Sequence, residues 1–350
     1  MDTMKIIKRA WNTTWSYKAL WIFGILVALG SGGSSGGGSG NSGAQFSGGG
    51  GEWDFPNTFQ LPEFATGTII AAVVALCAFI LLLTIATVIA RYVSETALIR
   101  MVNDHEETGE KRSIKEGFRL GWSKGAWKMF LLDLLVTVVI GTGMVLVFLL
   151  AAAPLLVWIT ENNVLRVIGS VTAFGLFMLG VFIAIAVAVL VNTLLHFVRR
   201  FVILEKMGVF EAIREGLAFV RAHLKDVALM WLVMFGINLV VTLVMIPVVL
   251  LLLILGAVTG GLPGLALGGL VSLLSTNEVL PWIIGGGIGL LIFIIMISIP
   301  SLFAGGVYKT FESSVWTLTY RELRTLGQLE PEATEESILP PVATESSLEA

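Results

Sequence analysis

The sequence has few charged residues and a single cysteine. Asp, Glu, Lys and Arg make up 13% of the 350 residues, whereas a soluble domain is about a quarter charged, and 56% of the residues are hydrophobic. A water-soluble globule of this composition would lack the polar surface needed to cover itself, so the composition favours a membrane protein. The net charge of −3 gives no indication of a nucleic-acid partner. Cys77 has no second cysteine to pair with and lies in an apolar run, where packing accounts for it.

Signatures of catalysis and of cofactor binding are also scarce. The acidic stretch "DHEET" (104–108) lacks the second histidine of a zinc-binding helix, and the chain has neither a P-loop nor a pair of cysteines. The glycine run "GGGIG" (285–289) lies inside an apolar stretch, where glycines let helices approach closely. We therefore predict that the protein is not an enzyme and that it binds no cofactor or metal.

Long apolar stretches dominate what is present. A helix needs about 20 apolar residues to cross the hydrocarbon core of a bilayer. The short stretch Ala19–Gly30 reaches this length only if its helix begins near Trp15 while Lys18 extends toward the headgroups. Its basic start and the following "ALGSGG" would also suit a cleaved secretory signal. Five further stretches are long enough by themselves, at 66–90, 126–150, 167–195, 227–256 and 282–304.

The positions of the basic residues indicate the orientation. If all six stretches cross, 21 of the 22 Lys and Arg residues fall on the side of the N-terminus, and only Arg166 lies opposite. Cytoplasmic loops carry such an excess of basic residues. We therefore expect a multi-pass protein of the bacterial inner (plasma) membrane with both termini in the cytoplasm.

Three amphipathic segments of similar sequence precede the first, third and fifth stretches. They are "IKRAWNTTWSYKA" (7–19), "IKEGFRLGWSKGA" (114–126) and "IREGLAFVRAHLK" (213–225). Apolar residues recur in them at helical spacing with basic residues opposite, as in helices that lie in the membrane interface. Chance similarity among amphipathic helices is the alternative to a repeat. We expect an all-α membrane domain over 1–326 with six transmembrane helices, built as three parallel repeats of an interfacial helix plus a helical hairpin over about 1–104, 105–208 and 209–326.

The basic faces of these helices predict contacts with lipid phosphates. Each cation near an anionic leaflet contributes about 1 kcal/mol. The alternative is that these charges only set the topology. We expect membrane lipids, with anionic ones preferred, to bind a basic collar formed by Lys8, Arg9, Lys115, Arg119, Arg214, Arg221 and Lys225.

Four polar residues inside the apolar stretches are candidates for an intramembrane site, because polar groups there are costly and are usually paired or functional. They are Asp133, Asn192, His196 and Asn238. The first three fall at similar depths and could face a cytoplasmic vestibule as a proton or ion site, whereas the fourth falls near the midplane. The alternative is a structural ion pair of Asp133 with Arg199 or Lys128, together with amides that bridge helices.

The remaining segments are predicted from their composition. Residues 30–51 contain 12 Gly and 6 Ser, which is typical of a solvated loop, here on the outer side. Residues 257–280 are too apolar for a free loop and are interrupted by Gly and Pro, which favours a re-entrant or surface-lying outer segment. The acidic residues 327–350 predict a disordered cytoplasmic tail, or alternatively a tail that docks a protein partner. The three returning stretches are expected to continue as polar helices at or below the cytoplasmic interface, over 91–102, 199–208 and 309–327.

Three of these segments carry a resemblance to a known group. "KALWIFGILVALG" (18–30), "YVSETALIRMV" (92–102) and "EAIREGLAFVRAHLKD" (211–226) resemble bacterial six-span membrane proteins related to the membrane domain of some glycerophosphodiester phosphodiesterases. The resemblance covers about 1–326 and implies a membrane domain that is not the catalytic part. The catalytic barrel has no counterpart here, so the resemblance transfers no catalytic residue.

These observations favour a non-catalytic membrane scaffold or accessory protein with anionic-lipid contacts. The alternative is a small transporter or channel with a polar site near Asp133, because internal repeats and a buried carboxylate are common in transporters. An intramembrane enzyme is the least favoured interpretation, since no sequence motif indicates a particular reaction.

Overall fold

The computed structural model describes residues 1–31, 66–160, 162–274 and 279–338, and within these ranges the chain forms helices and no strand. This result agrees with the predicted all-α class. The helices are α1 (Thr3–Ser16), α2 (Ala19–Gly30), α3 (Thr66–Thr108), α4 (Ile114–Gly121), α5 (Lys124–Ala152), α6 (Asn163–Leu204), α7 (Val209–Ala222), α8 (Leu224–Leu274) and α9 (Leu280–Ile338), and the short 3-10 helix Ala153–Ile159 follows α5.

Five of these helices are long and apolar enough to cross a membrane. The helix α2 is not among them, because its 12 residues rise only about 18 Å against a hydrocarbon core of about 30 Å. The expectation that this helix begins near Trp15 is wrong, since α1 ends at Ser16 and the chain turns before α2 starts. The five apolar helices cover Val73–Thr108, Lys124–Ile159, Asn163–Leu204, Leu224–Leu274 and Leu280–Leu326.

The buried core lies where α3, α6 and α9 continue beyond their apolar parts into polar sequence. Ala97, Phe197 and Val315 have no exposed surface there, and neighbouring Ser and Thr residues are buried with them. The most apolar window of each long helix is by contrast almost entirely exposed. Lipid tails are as apolar as leucine, so burying these surfaces against one another would gain no hydrophobic free energy. Burial of large side chains is therefore concentrated at the polar end, where water drives apolar residues together.

The short helix α2 is an integral part of this core. Leu20 and Phe23 are fully buried between α3 and α9. Gly24 faces Gly306 of α9 so closely that a Cβ at this position would collide with the Gly306 carbonyl oxygen. The segment considered as a signal sequence thus forms a packed element of the bundle.

The segment predicted to be re-entrant or surface-lying has a different structure. Residues 257–274 continue α8 as a helix past Pro247 and Pro263, antiparallel to α9. The glycines that argued against a helix instead allow close contact, since a Cβ on Gly264 would lie 2.7 Å from the carbonyl oxygen of Gly285. Proline is tolerated in such helices because the freed carbonyl groups find other partners.

Two predicted segments fall partly outside the described residues. The Gly- and Ser-rich outer loop of 30–51 is described only at its first two residues. The helix α9 continues to Ile338 and so extends into the stretch predicted to be a disordered tail, whereas residues 339–350 lie outside the described part of the chain.

Candidate functional site

A network of charged side chains joins α3, α5 and α6 next to the buried core. Arg199 on α6 donates from Nη2 to both carboxylate oxygens of Asp133 on α5, at 2.9 Å each. Its Nη1 lies 2.6 Å from Oε1 of Glu95 on α3. Tyr92 donates its hydroxyl to Asp133 Oδ2 at 3.2 Å. One guanidinium thus holds carboxylates from two other helices, a geometry that suits arginine because its donors are fixed in a plane.

Lys128, the other partner considered for Asp133, is used elsewhere. Its ammonium group donates to the carbonyl oxygens of Lys206 and Met207 at 2.8 and 2.9 Å, where α6 ends and the turn to α7 begins. The structure therefore contains the Asp133–Arg199 ion pair, one of the two pairings that the sequence suggested.

A second polar group lies between α6 and α9. His196 stacks on Trp316 with ring centres 4.6 Å apart, and its Nε2 lies 3.8 Å from Oε1 of Glu312. The other oxygen of Glu312 accepts a hydrogen bond from Lys309 at 2.9 Å. His196 thus has aromatic and acidic neighbours of its own and is not in contact with Asp133.

The two asparagines predicted for the site lie apart from the charged residues. Asn238 on α8 donates from Nδ2 to the hydroxyl oxygen of Tyr308 on α9 at 2.9 Å, so it acts as an amide bridge between helices. Asn192 on α6 is half-buried. The four predicted residues therefore have different surroundings in the structure.

Arg200 is a buried charge that the sequence did not single out. Its side chain donates to the carbonyl oxygens of His196 and Ser313, and its Nε has no partner among the described residues. No carboxylate of the described residues lies within ion-pairing distance, although Glu95 and Glu312 are close enough to act on its charge. The only sequence signal for Arg200 is its position next to Arg199. That Arg200 lies on the side of α6 that faces α9 is known from the structure.

The polar residues of this region balance one another in formal charge. Three acidic groups, on α3, α5 and α9, face three basic groups, on α6 and α9; they are Glu95, Asp133, Glu312, Arg199, Arg200 and Lys309. Within the described ranges no group of three or more His, Cys, Asp or Glu is placed to hold a metal ion. A neutral, internally bonded network of this kind ties helices together and leaves no carboxylate of the network without a basic partner.

The sequence also contains a Gly-x-Ser-x-Gly pattern at 121–125, of the type found around hydrolase nucleophiles, which the prediction of a non-enzyme did not take into account. In such enzymes the serine sits on a strand-to-helix turn beside a histidine. Here Ser123 lies between two helices, α4 and α5, and its hydroxyl is buried with no partner among the described side chains. The pattern therefore lacks the base that would activate a serine.

A cavity of about 920 Å³ lies between the outer parts of α8 and α9. Glycines such as Gly261, Gly268 and Gly286 form most of its walls, with apolar side chains such as Leu290 and Phe293, and none of its lining residues is charged. Ser272 and Trp282 supply the polar side-chain groups of its lining, so the groove is largely apolar.

The three short helices α1, α4 and α7 share a pattern of burial at equivalent positions of the similar segments 7–19, 114–126 and 213–225. The fourth residue of each aligned segment is small and buried: Ala10 on α1, Gly117 on α4 and Gly216 on α7. A Cβ on Gly117 would lie 2.5 Å from Met101 Sδ of α3, and one on Gly216 would lie 2.6 Å from a methyl of Val198 on α6. The second residue of each segment is basic and exposed: Lys8, Lys115 and Arg214.

The predicted basic collar is exposed, with one member engaged inside the protein. Arg9 lies 2.5 Å from Glu106 on α3. The other six side chains are exposed and form no ion pair with a described residue. Exposed aromatic side chains lie on the same helices, including Trp11 and Trp15 on α1 and Phe210 on α7, and Trp122 directly follows α4. The six exposed cations, here called the unpaired collar, are Lys8, Lys115, Arg119, Arg214, Arg221 and Lys225.

Taken together, the long apolar helices and the polar core at one end define a multi-pass, all-helical membrane protein. Comparison with known families makes the assignment more specific. Residues 9–333 match the family described as "Family of unknown function (DUF7544)", and the chain belongs to that family. No curated protein and no solved structure matches the chain.

Proposed function

We propose that the protein is a non-catalytic membrane scaffold of six spans in three parallel repeats, which gathers anionic lipid at its cytoplasmic face. The observation that carries this proposal is the recurrence on α1, α4 and α7 of one exposed cation two positions before one buried small residue. The small residue seats each helix on the bundle, and the cation faces outward at the level where lipid headgroups would lie.

The order and packing of the helices support the repeats. Three times in succession, a short helix precedes one helix that leaves the polar end and one that returns to it. The short helix α4 packs on the returning helix α3, and α7 packs on the returning helix α6. The first short helix, α1, packs on α9, the last returning helix, although the two lie at opposite ends of the chain. This closed arrangement is what three equivalent units around one axis would produce.

In this proposal α2 serves as the sixth span, with the membrane thinned locally to match its length. Both termini and the three short helices then lie on the cytoplasmic side of the cell membrane. We include in this proposal the resemblance to the membrane domain of glycerophosphodiester phosphodiesterases, which agrees with a non-catalytic role.

The internal pairing of the polar network favours a scaffold over a transporter. A transport site needs groups that exchange an internal partner for a substrate. Asp133, the carboxylate on which the transporter alternative depends, accepts three hydrogen bonds, from Arg199 and Tyr92. Releasing it would leave a charged arginine without one of its two carboxylates in a largely buried position, which is costly.

The lipid contacts can be tested by native mass spectrometry of detergent-extracted protein. The variant carries Lys115→Gln, Arg119→Gln, Arg214→Gln and Arg221→Gln, and the matched control exchanges Lys and Arg at the same four positions so that every charge stays. We expect the Gln variant to retain at least about tenfold less cardiolipin or phosphatidylglycerol, since each cation contributes about 1 kcal/mol before screening. Equal retention by both variants would leave these charges with a purely topological role.

The transporter alternative has its own measurement. Purified protein in proteoliposomes should show no flux of protons or alkali cations above that of empty vesicles. A flux that disappears with Asp133→Ala, in a variant that still folds, would reverse the proposal and make Asp133 part of a transport pathway.

A further inference from the structure

We infer that the acidic C-terminal segment, residues 327–350, binds the unpaired collar and competes there with anionic lipid. The inference deepens the proposed function and rests on it, because it assigns the lipid-binding surface an internal competitor. It is carried by the lack of ion pairs at the collar, by the place where α9 leaves the bundle, and by the charge of the segment.

Two groups of basic side chains at the polar end differ in their partners. Those of the first group are each bound to an acidic residue of the bundle: Arg9 with Glu106, Arg112 with Asp104, Arg321 with Glu107, and Arg324 with Glu205. The second group is the unpaired collar, which has no acidic partner among the described residues. Further lysines are also exposed and form no ion pair with a described residue, among them Lys5, Lys18, Lys124 and Lys206. The collar is therefore open to partners outside the packed helices.

The acidic segment leaves the bundle next to two of the collar helices. Leu323 of α9 is fully buried in the same core as Ile6 and Ala10 of α1. Tyr320, one turn earlier, packs against Phe219 of α7 with ring centres 5.8 Å apart. The last turns of α9 thus start between α1 and α7, which carry three of the six unpaired cations: Lys8, Arg214 and Arg221.

The segment has the charge and the length to reach those cations. Residues 327–350 contain six Glu and no basic residue; four of the six precede Ile338, where α9 ends, and two follow it. The 12 residues after Ile338 span up to about 40 Å when extended, which exceeds the diameter of a small helical bundle. Attraction between the two is electrostatic and acts within a Debye length of about 8 Å at physiological salt, so the same salt that weakens lipid binding weakens the competitor.

A charge-neutral tail of unchanged length provides the main test. The variant replaces the six glutamates with glutamine, as Glu330→Gln, Glu332→Gln, Glu335→Gln, Glu336→Gln, Glu345→Gln and Glu349→Gln. The matched control replaces the same six with aspartate and keeps the charge. Both proteins and the wild type are placed in nanodiscs with roughly a 10-fold excess of phosphatidylcholine over phosphatidylglycerol, so that phosphatidylglycerol does not saturate the collar. The phosphatidylglycerol retained by each protein is then counted by native mass spectrometry.

The Gln variant should retain at least about twofold more phosphatidylglycerol than the wild type, and the Asp control should match the wild type. In nanodiscs of phosphatidylcholine alone, a zero-length carbodiimide should link tail glutamates to Lys8, Lys115 or Lys225, and phosphatidylglycerol should suppress these links. Equal retention by all three proteins, or links that form only to lysines outside the collar, would overturn the inference.

The outcome separates this inference from the proposed function. If the tail variant retains the same amount of lipid while the collar variant with four Gln substitutions retains less, the proposed function stands and the tail does not compete. If neither variant changes retention, the lipid-binding surface itself is absent, and the proposed function fails with it.

Discussion

Arg199 Nη2 lies 2.9 Å from each carboxylate oxygen of Asp133, and the same guanidinium reaches Glu95 on a third helix. The side chains of all three are no more than 15% exposed. This arginine is therefore the point at which α3, α5 and α6 are joined by charge. Both carboxylates find this basic partner within the bundle, so the network holds the three helices together.

Replacing Asp133 with Asn should lower the stability of the protein without affecting lipid retention. The change removes one charge of a largely buried pair and leaves Arg199 with Glu95 alone, which costs about 3 kcal/mol. Thermal unfolding in detergent, followed by the fluorescence of the tryptophans, measures the loss. The control Asp2→Asn removes an exposed carboxylate at the start of α1. An equal loss of stability in both variants would show that the Asp133–Arg199 ion pair contributes no more to stability than an exposed carboxylate does.

Two glycines in similar helices should respond in opposite ways to alanine. At Gly24 a methyl group would collide with the carbonyl of Gly306, and overpacking of this kind costs about 1–3 kcal/mol. At Gly141 on α5 a Cβ would meet no atom within 4 Å, so Gly141→Ala should be neutral or stabilise the helix by up to about 1 kcal/mol. The measurement is the unfolding temperature of each variant relative to the wild type. An unchanged unfolding temperature for Gly24→Ala would mean that α2 does not approach α9 this closely.

The extent of the long helices was predictable, whereas their packing was not. Apolar runs of 20 residues or more identify membrane helices because lipid imposes a length and a composition. Contacts such as that between Gly24 and Gly306 join residues far apart in the chain, and no local sequence pattern predicts them. The continuation of α8 through Pro263 was missed for a related reason: glycine and proline break an isolated helix, but a neighbouring helix that packs on the glycines stabilises it.

The candidate site was predictable only in part. The sequence suggested an ion pair of Asp133 but left Arg199 and Lys128 as alternative partners. The contribution of Glu95 and the burial of Arg200 were not suggested, because they depend on which sides of α3 and α6 face the bundle. That information resides in the packing of the polar continuations, which the sequence placed at the interface and the structure places in the core.

The predicted topology can be checked with reporter fusions. A reporter that is active only outside the cytoplasm should be active when fused after Gly40 and inactive when fused after Ala350. The positive-inside distribution of the basic residues is the reason, since it places the polar end in the cytoplasm. Activity of the C-terminal fusion would invert the orientation, and inactivity of the first fusion would show that α2 does not cross.

Tyr17, at the turn between α1 and α2, should make the protein sensitive to alkali. It is 3% exposed and donates its hydroxyl to the carbonyl oxygen of Arg112 at 2.6 Å. Burial raises the pKa of Tyr17 from its ordinary value of 10.0 to about 12. Because the folded state favours the neutral phenol, this contribution to stability is complete below about pH 10 and is lost as the pH rises toward 12.

Tyr17→Phe tests this relationship, because it keeps the ring and removes the group that ionises. At pH 7 the variant should be less stable by about 1 kcal/mol, the value of one hydrogen bond, and its carbonyl partner Arg112 should lose order at the α3–α4 turn. Between pH 10 and 12 its stability should fall less steeply than that of the wild type. Ultraviolet titration of tyrosinate is practical because the chain has only four tyrosines. An identical alkaline slope in both proteins would show that Tyr17 ionises as freely in the folded chain as in the unfolded one.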